Sequence, residues 1–139
     1  MPYQISFDAN PKAEDIQILG NGILEFARQK KGHGPIEFFA FYIRDEENKI
    51  VGGCSGDMLY GCLWVGYLWV SEHLRGQGYG TKLMESVENF GKERGCLFSA
   101  VNTMDWEALA FYKKLGYRVE FERHGFLKNS IFYFLRKYF

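Results

Sequence analysis

The chain has 139 residues, of which 47% are hydrophobic and 18% aromatic, so it suits one domain with a packed core and is not expected to be disordered. Its 17 basic and 17 acidic side chains balance, which argues against nucleic acid as the main partner. The three cysteines are widely spaced and form no C-x-x-C pair, which argues against a disulfide framework or a zinc site and indicates reduced thiols in a cytoplasmic protein.

The sequence does not suggest a membrane partner. The N-terminus lacks the basic segment and apolar run of a signal peptide. The longest uncharged run, residues 58–71, is too short to span a bilayer and is interrupted by glycines. We therefore expect no leader and no transmembrane segment.

The first half of the chain predicts a strand, a helix and a hairpin. Residues 3–8 alternate in polarity, which is typical of a strand. Apolar residues at helical spacing predict a helix over about 11–30, in which two glycines would allow a kink or two short helices. Two strand-like segments, 36–44 and 50–57, flank a polar turn and predict a β-hairpin.

The second half predicts a buried strand followed by alternating helices and strands. Residues 62–70 form a nearly continuous apolar run, which suits a strand buried on both faces. Gly66 within it indicates a bulge or the close approach of a ligand. The later elements are a helix after a glycine loop, a strand over 97–103, a helix over 106–115 with Asp105 as N-cap and Gly116 as C-cap, and closing strands over 117–121 and 131–135. This order predicts a single α+β domain over residues 1–139.

Residues 68–90 join the apolar strand, a glycine-rich loop and an amphipathic helix. The free N–H groups of the first helical turn and the helix dipole favour an anion, so the expected ligand carries a phosphate. Gly76, Gly78 and Gly80 alternate, which lets the backbone approach a ligand closely. Thr81 stands where a dinucleotide fingerprint needs its third glycine, and no Gly-Lys-Ser/Thr of a Walker A loop occurs.

Arg75, Gly78 and Gly80 form an R-x-x-G-x-G pattern that resembles the acyl-CoA pyrophosphate loop of the GNAT superfamily of N-acetyltransferases. The block A-L-A-F-Y-K-K-L-G-Y at 108–117 is similar to that family's tyrosine block, in the family's order and spacing. The resemblance implies the GNAT fold, a mixed, mostly antiparallel twisted sheet of six to seven strands flanked by helices, with a central parallel pair that splays apart. It also implies acetyl-CoA as cofactor and a primary amine of a small molecule or peptide as acceptor.

The resemblance assigns roles to individual residues. It implies pyrophosphate binding by the glycine loop with Arg75, and pantetheine binding along residues 68–70, where the N–H of Trp69 or Val70 would hold the thioester oxygen. Tyr112 matches the tyrosine that protonates the departing thiolate. The cofactor residues implied are Leu68, Trp69, Val70, Arg75, Gly76, Gln77, Gly78, Tyr79, Gly80, Thr81, Asn102, Asp105, Ala108 and Phe111.

Two assignments stay open. Asp105 stands where the family commonly has an asparagine that binds the pantetheine arm, so either Asp105 or Asn102 contacts that arm. Many relatives carry a catalytic carboxylate on the strand before the loop, and this strand has none. Glu72, just beyond the strand, is the candidate base, with Asp57, Glu37 and a water relay through a tyrosine as alternatives.

Other readings of the chain also remain open. Phe38, Phe39 and Phe41, near the loop at 30–35, suggest an apolar acceptor pocket. The absence of an obvious base leaves a non-catalytic acyl-CoA-binding module as the alternative function, and a nucleotide-binding protein is the third. The aromatic segment 131–139 could join two copies in a homodimer or form an internal strand.

Overall fold

The computed structural model describes residues 2–139, which divide into a first unit ending at Pro35 and a second unit, Ile36–Phe139. The single domain expected for the whole chain therefore stays a prediction. Residues 3–8 form no strand, so that prediction is wrong. Alternating polarity produces a strand only where a neighbouring strand supplies hydrogen bonds.

The first unit contains the predicted helix, α1 (Ala13–Lys31). It runs without a break through Gly20 and Gly22, so the kink that these glycines would allow does not occur. Gly32 ends the helix in the left-handed conformation and donates its N–H to the carbonyl of Arg28 at 2.8 Å. Acidic residues in its first turn and basic residues in its last turn complement the helix dipole.

The second unit is built on a six-stranded sheet in the order β1-β2-β3-β4-β6-β5. Its strands are β1 (Glu37–Arg44), β2 (Ile50–Leu59), β3 (Cys62–Val70), β4 (Phe98–Met104), β5 (Arg118–Phe126) and β6 (Ser130–Tyr138), and its helices are α2 (Tyr79–Glu93) and α3 (Leu109–Lys114). The pair β3–β4 is parallel and the other neighbours are antiparallel. This arrangement confirms the predicted fold class, with the last two strands longer than expected.

The core lies between one face of the sheet and helices α2 and α3. Leu63 on β3, Met84 and Val87 on α2, Val101 on β4 and Leu135 on β6 are almost completely buried there. Alternation along each strand points these side chains to one face and their neighbours to the other. We call the face that packs against the helices the helix face, and the other the open face.

The aromatic strand β1 is divided between the two faces. The rings of Phe39 and Phe41 lie 5.5 and 5.7 Å from the ring of Phe90 on α2, so they belong to the core. Phe38 points to the open face and is 74% exposed. The suggested acceptor pocket formed by all three aromatics is therefore wrong, because residues one apart on a strand face opposite sides.

A buried polar cluster joins α2 to the far strands. The hydroxyl of Tyr117 is hydrogen-bonded to a carboxylate oxygen of Glu88 at 3.0 Å and to the hydroxyl of Ser99 at 2.8 Å. Lys137 on β6 donates to the other carboxylate oxygen of Glu88 at 2.7 Å. A buried carboxylate needs such partners, so this cluster fixes α2 relative to β4 and β6.

The three cysteines, Cys54, Cys62 and Cys96, are free and buried. Burial raises the pKa of the Cys54 thiol to about 12 and that of Cys62 to about 11. These thiols therefore stay protonated at neutral pH and act as small core side chains. Among the described residues, no helix is long and apolar enough to cross a membrane.

We expect Leu63→Ala to lower the free energy of unfolding by about 2–5 kcal/mol, because it leaves a cavity in a fully buried site against Gly91 of α2. Leu97→Ala is the matched control, since Leu97 is 68% exposed and its truncation should change stability by less than about 0.5 kcal/mol. Urea denaturation measures both values. Equal losses in the two variants would contradict the placement of the core.

Candidate active site

The glycine loop connects the end of β3 to the start of α2. A single 3-10 turn, Glu72–Leu74, follows β3, and α2 begins at Tyr79 with Gly78 as its N-cap. Gly76 and Gly78 have φ angles of 74° and 88°, which glycine adopts at no steric cost, and a Cβ on either would meet open space. The backbone is therefore exposed at the helix N-terminus.

This N-terminus has the properties of an anion site. The N-cap residue makes no side-chain hydrogen bond to the helix, and the first turn contains no acidic residue. The first turn therefore presents N–H groups and a positive dipole end without internal compensation. Arg75 donates its Nε to the carbonyl of Val70 at 2.9 Å, which holds a cation beside the loop.

A cavity of about 610 Å³, here called the loop cavity, opens over this helix N-terminus. Most of the predicted cofactor residues line it, namely Leu68, Trp69, Val70, Arg75, Gly76, Gly78, Tyr79, Gly80, Thr81, Ala108 and Phe111. Gln77 does not line it and instead donates its amide to the carbonyl of His73 at 3.0 Å. Leu74, Trp106 and Glu107 also line it and were not predicted from the sequence, although the last two directly precede the tyrosine block.

Strands β3 and β4 separate beside this cavity. Their parallel pairing covers only Cys62–Trp64 on β3 and Phe98–Ala100 on β4. Beyond Trp64, no strand within residues 2–139 pairs with the edge of β3 that faces β4, so the backbone groups of that edge are available to an extended ligand.

A smaller cavity of about 210 Å³, the gap cavity, lies where the two strands part. Leu68, Glu107 and Ala108 line both it and the loop cavity, so the two spaces adjoin. Asn102 and Tyr112 line the gap cavity. Of the two residues proposed to contact the pantetheine arm, Asn102 is therefore the one that faces this space.

A bulge in β3 shapes the gap. Ser55 pairs with Tyr67 and Gly56 pairs with Val65, which leaves Gly66 as the extra residue. The predicted bulge is thus confirmed. A bulge reverses which side chains face the core, so Val65 before it and Leu68 after it both pack on the helix face.

Tyr112 lies on α3 with only 5% of its surface exposed. Its ring makes edge contacts with Phe111 and Tyr117, at centroid distances of 5.3 and 5.6 Å. Burial, with smaller contributions from Cys54 and then from Glu107, raises the pKa of the phenol. The hydroxyl therefore stays protonated well into alkaline solution and can act as a proton donor.

Asp105 does not cap α3, so that prediction is wrong. The helix begins at Leu109, and the hydroxyl of Thr103 accepts a hydrogen bond from the N–H of Ala108 at 3.0 Å. The Asp105 carboxylate instead accepts the N–H of Ile131 at 2.9 Å, and the Asp105 N–H donates to the Ile131 carbonyl at the same distance. Asp105 thus anchors the strand end to β6 and lines neither the loop cavity nor the gap cavity.

The structure does not bring Glu72 to Tyr112. Glu72 is exposed in the 3-10 turn and lines neither the loop cavity nor the gap cavity. Glu107 lines both cavities, and its Oε1 accepts the N–H of Met104 at 2.9 Å. It is the carboxylate that the geometry places beside the tyrosine.

Known proteins share both the sequence pattern and the fold. A blasticidin-S acetyltransferase from Streptomyces morookaense is 37% identical over 86 residues, 61% of this chain and 63% of that protein. The chain spans less than two thirds of the length of the curated relatives it matches.

Solved structures extend the likeness over more of the chain. The crystal structure of a candidate acetyltransferase from Agrobacterium tumefaciens is 25% identical, covers 99% of this chain and 100% of its own, and has a TM-score of 0.88. A candidate streptothricin acetyltransferase from Bacillus anthracis, solved with acetyl coenzyme A, shares the fold at 17% identity over 66% of this chain and 58% of its own, with a TM-score of 0.60.

The profile of the Acetyltransferase (GNAT) family matches residues 8–117. This range includes both the glycine loop and the tyrosine block, and it confirms the resemblance inferred from their residues. The chain belongs to the Acetyltransferase (GNAT) family.

Proposed function

We propose that this chain is an acetyl-CoA-dependent N-acetyltransferase that acts on a primary amine of a small molecule or peptide. One observation carries the proposal: an anion site at a helix N-terminus and a buried tyrosine lie along two adjoining cavities. The family membership and the acetyltransferase names of the relatives support it. Three free cysteines suit a reducing compartment, and we place the protein in the cytoplasm as part of this proposal.

In this proposal, acetyl-CoA binds along the loop cavity into the gap. The N–H groups at the start of α2 and the cation of Arg75 would hold the pyrophosphate. The amides of the pantetheine arm would pair with the open edge of β3 at Leu68, Trp69 and Val70. Phe111, which lies against Gly80, would provide an apolar wall.

The reaction that follows is a direct transfer. The amine nitrogen attacks the thioester carbonyl carbon and forms the new N–C bond, while an N–H of β3, at Trp69 or Val70, stabilises the oxyanion. The C–S bond then breaks, and its electron pair stays on sulfur. Tyr112 donates a proton to that sulfur, and the nitrogen loses its extra proton to a carboxylate or to water.

We propose Glu107 as that carboxylate, in place of Glu72. Glu107 lies at the junction of the two cavities, and its charge contributes to the raised pKa of Tyr112. A neighbouring carboxylate and a protonated phenol can serve as base and acid in one site. Glu72 lines neither cavity.

Within this proposal, the first prediction concerns the cofactor. Gly78→Glu should weaken the binding of coenzyme A at least about 100-fold, because it places a negative charge at the proposed pyrophosphate site. Gly95→Glu is the matched control: Gly95 also has a positive φ and open space around its Cβ position, but it follows the far end of α2. Isothermal titration with acetyl-CoA and coenzyme A measures both. Folded wild-type protein that binds neither ligand would refute the proposal.

The second prediction separates an enzyme from a non-catalytic binding module. Tyr112→Phe should retain coenzyme A binding but lower kcat about 100-fold or more in a thiol-release assay with an amine from a panel of primary amines. Because burial raises the pKa of Tyr112, wild-type kcat should not fall through loss of this proton between about pH 8 and about pH 10.

Tyr117→Phe is the control for that variant. It removes the hydrogen bonds to Glu88 and Ser99 and should cost about 1–3 kcal/mol of stability while sparing kcat in the folded fraction. Wild-type protein that binds coenzyme A and shows no turnover with any amine would favour the binding module. Equal kcat for Tyr112→Phe and wild type would exclude Tyr112 as the proton donor.

The third prediction tests the base. Glu107→Gln keeps an oxygen that can accept the N–H of Met104 but removes the negative charge, so kcat should fall about 100-fold with little loss of stability. Glu72→Gln should leave kcat close to wild type. Steady-state kinetics of the two variants, side by side, decide between these carboxylates. The opposite pattern would restore Glu72 as the base.

A further inference from the structure

Strands β1, β2 and β3 arrange side chains in three cross-strand rows on the open face of the sheet. Their register places together Tyr42, Gly53 and Trp69 in one row, Ala40, Ser55 and Tyr67 in the next, and Phe38, Asp57 and Trp64 in the third. In the first row Gly53 thus lies between two aromatic residues, whereas in the second row Ala40 and Ser55 are both small and only Tyr67 is large. The surface is therefore aromatic along β3 and low at Gly53 and Ser55 of β2.

The first row forms a slot. Gly53 has no side chain, while its partners Tyr42 and Trp69 stand on the strands to either side, and a cavity of about 160 Å³ lies between them. The backbone itself requires glycine here, since a Cβ would lie 2.6 Å from the carbonyl oxygen of Phe41. We call Tyr42, Gly53 and Trp69 the ring slot.

The width of the ring slot suits a planar group. Adjacent strands are about 4.8 Å apart, so β1 and β3 lie roughly 9.6 Å apart across β2. A flat ring in contact with a side chain on each face needs walls roughly 7–8 Å apart. Arg44 lies over the ring of Tyr42, 5.2 Å from its centroid.

The third row places a carboxylate at the other end of this surface. Asp57 is half-buried between Phe38 and Trp64. Within residues 2–139, the hydrogen bonds and ion pairs of the structure do not include its carboxylate. Burial raises its pKa. A partly desolvated carboxylate without a cation attracts a positively charged ligand group.

The surface also reaches the proposed reaction site. Tyr67, in the middle row, lines both the cavity of the ring slot and the gap cavity. Trp69 lines both the ring slot and the loop cavity. A molecule seated in the ring slot would therefore lie on β3 next to the place where the thioester is proposed to sit.

We propose that the ring slot and Asp57 form the acceptor subsite, and that the acceptor is a planar ring carrying a primary ammonium group. The ring would lie over Gly53 between Tyr42 and Trp69, with the ammonium above the middle row and attracted by Asp57. This inference rests on the acetyltransferase function proposed above. It adds the class of acceptor, which is a flat, cationic molecule and not an aliphatic or anionic one.

The test measures binding without turnover. Wild-type protein saturated with coenzyme A is titrated calorimetrically with phenethylamine, n-butylamine and 3-phenylpropionate. Phenethylamine should bind roughly 3- to 10-fold more tightly than n-butylamine, because only it carries a ring for the slot. 3-Phenylpropionate should bind more weakly still, since its charge is repelled by Asp57.

Variants assign that selectivity to residues. Tyr42→Leu should weaken phenethylamine binding roughly 3- to 10-fold and leave n-butylamine binding unchanged, and Trp69→Leu should weaken phenethylamine binding by a similar factor. Asp57→Asn should weaken both amines and improve 3-phenylpropionate. Phe121→Leu is the control. Phe121 is an exposed aromatic residue on β5 that packs against Phe134 of β6, and neither strand forms part of the ring slot.

The results separate a failure of the proposed acceptor subsite from a failure of the proposed acetyltransferase function. Failure of coenzyme A to bind wild-type protein overturns the proposed function. Normal coenzyme A binding with no preference for phenethylamine over n-butylamine overturns only the acceptor subsite. Sedimentation measures the oligomeric state of Trp69→Leu and Tyr42→Leu. If that state changes while the affinity for phenethylamine does not, the acceptor subsite is also overturned. This face is then a contact between copies of the chain.

Discussion

The separation of β3 from β4 is the constraint on which the rest of the site depends. The two strands pair over Cys62–Trp64 and Phe98–Ala100 and then part, with the gap cavity between them. A sheet normally satisfies its backbone groups internally, so an unpaired inner edge is costly unless something else pairs with it. The bulge at Gly66 adds to the divergence by reorienting β3 at the point where the gap opens.

The residues around the gap are fixed by contacts outside it. The cluster of Tyr117, Glu88, Ser99 and Lys137 ties α2 to β4 and β6. On the other side, Thr103 and Asp105 hold the start of α3 and the end of β4 against their neighbours. Tyr112 is therefore carried on a short helix whose position is set at both ends. A short helix has little stability of its own, so these contacts provide the rigidity that the proposed proton donor needs.

Charge is distributed unevenly around this site although the chain as a whole is neutral. The start of α2 has a cation and no acid in its first turn, whereas the gap is bordered by Glu107 and the open face carries Asp57. The basic and acidic positions come from different elements: Arg75 from the glycine loop, Glu107 from the segment before α3, and Asp57 from β2. This distribution of charge suits the proposed reaction between an anionic donor and a cationic acceptor.

The sequence by itself determined the elements that short-range residue patterns define. The bounds of β3, the bulge at Gly66 and the glycine N-terminus of α2 followed from apolar runs and glycine spacing. The strand expected at residues 3–8 failed because a strand needs a partner. Only the tertiary structure decided that Asp105 bonds Ile131, that Phe39 and Phe41 pack on Phe90, and that Glu107 and not Glu72 borders the cavities. These outcomes depend on which distant segments meet and on strand register, and a one-residue change of register moves a side chain to the opposite face.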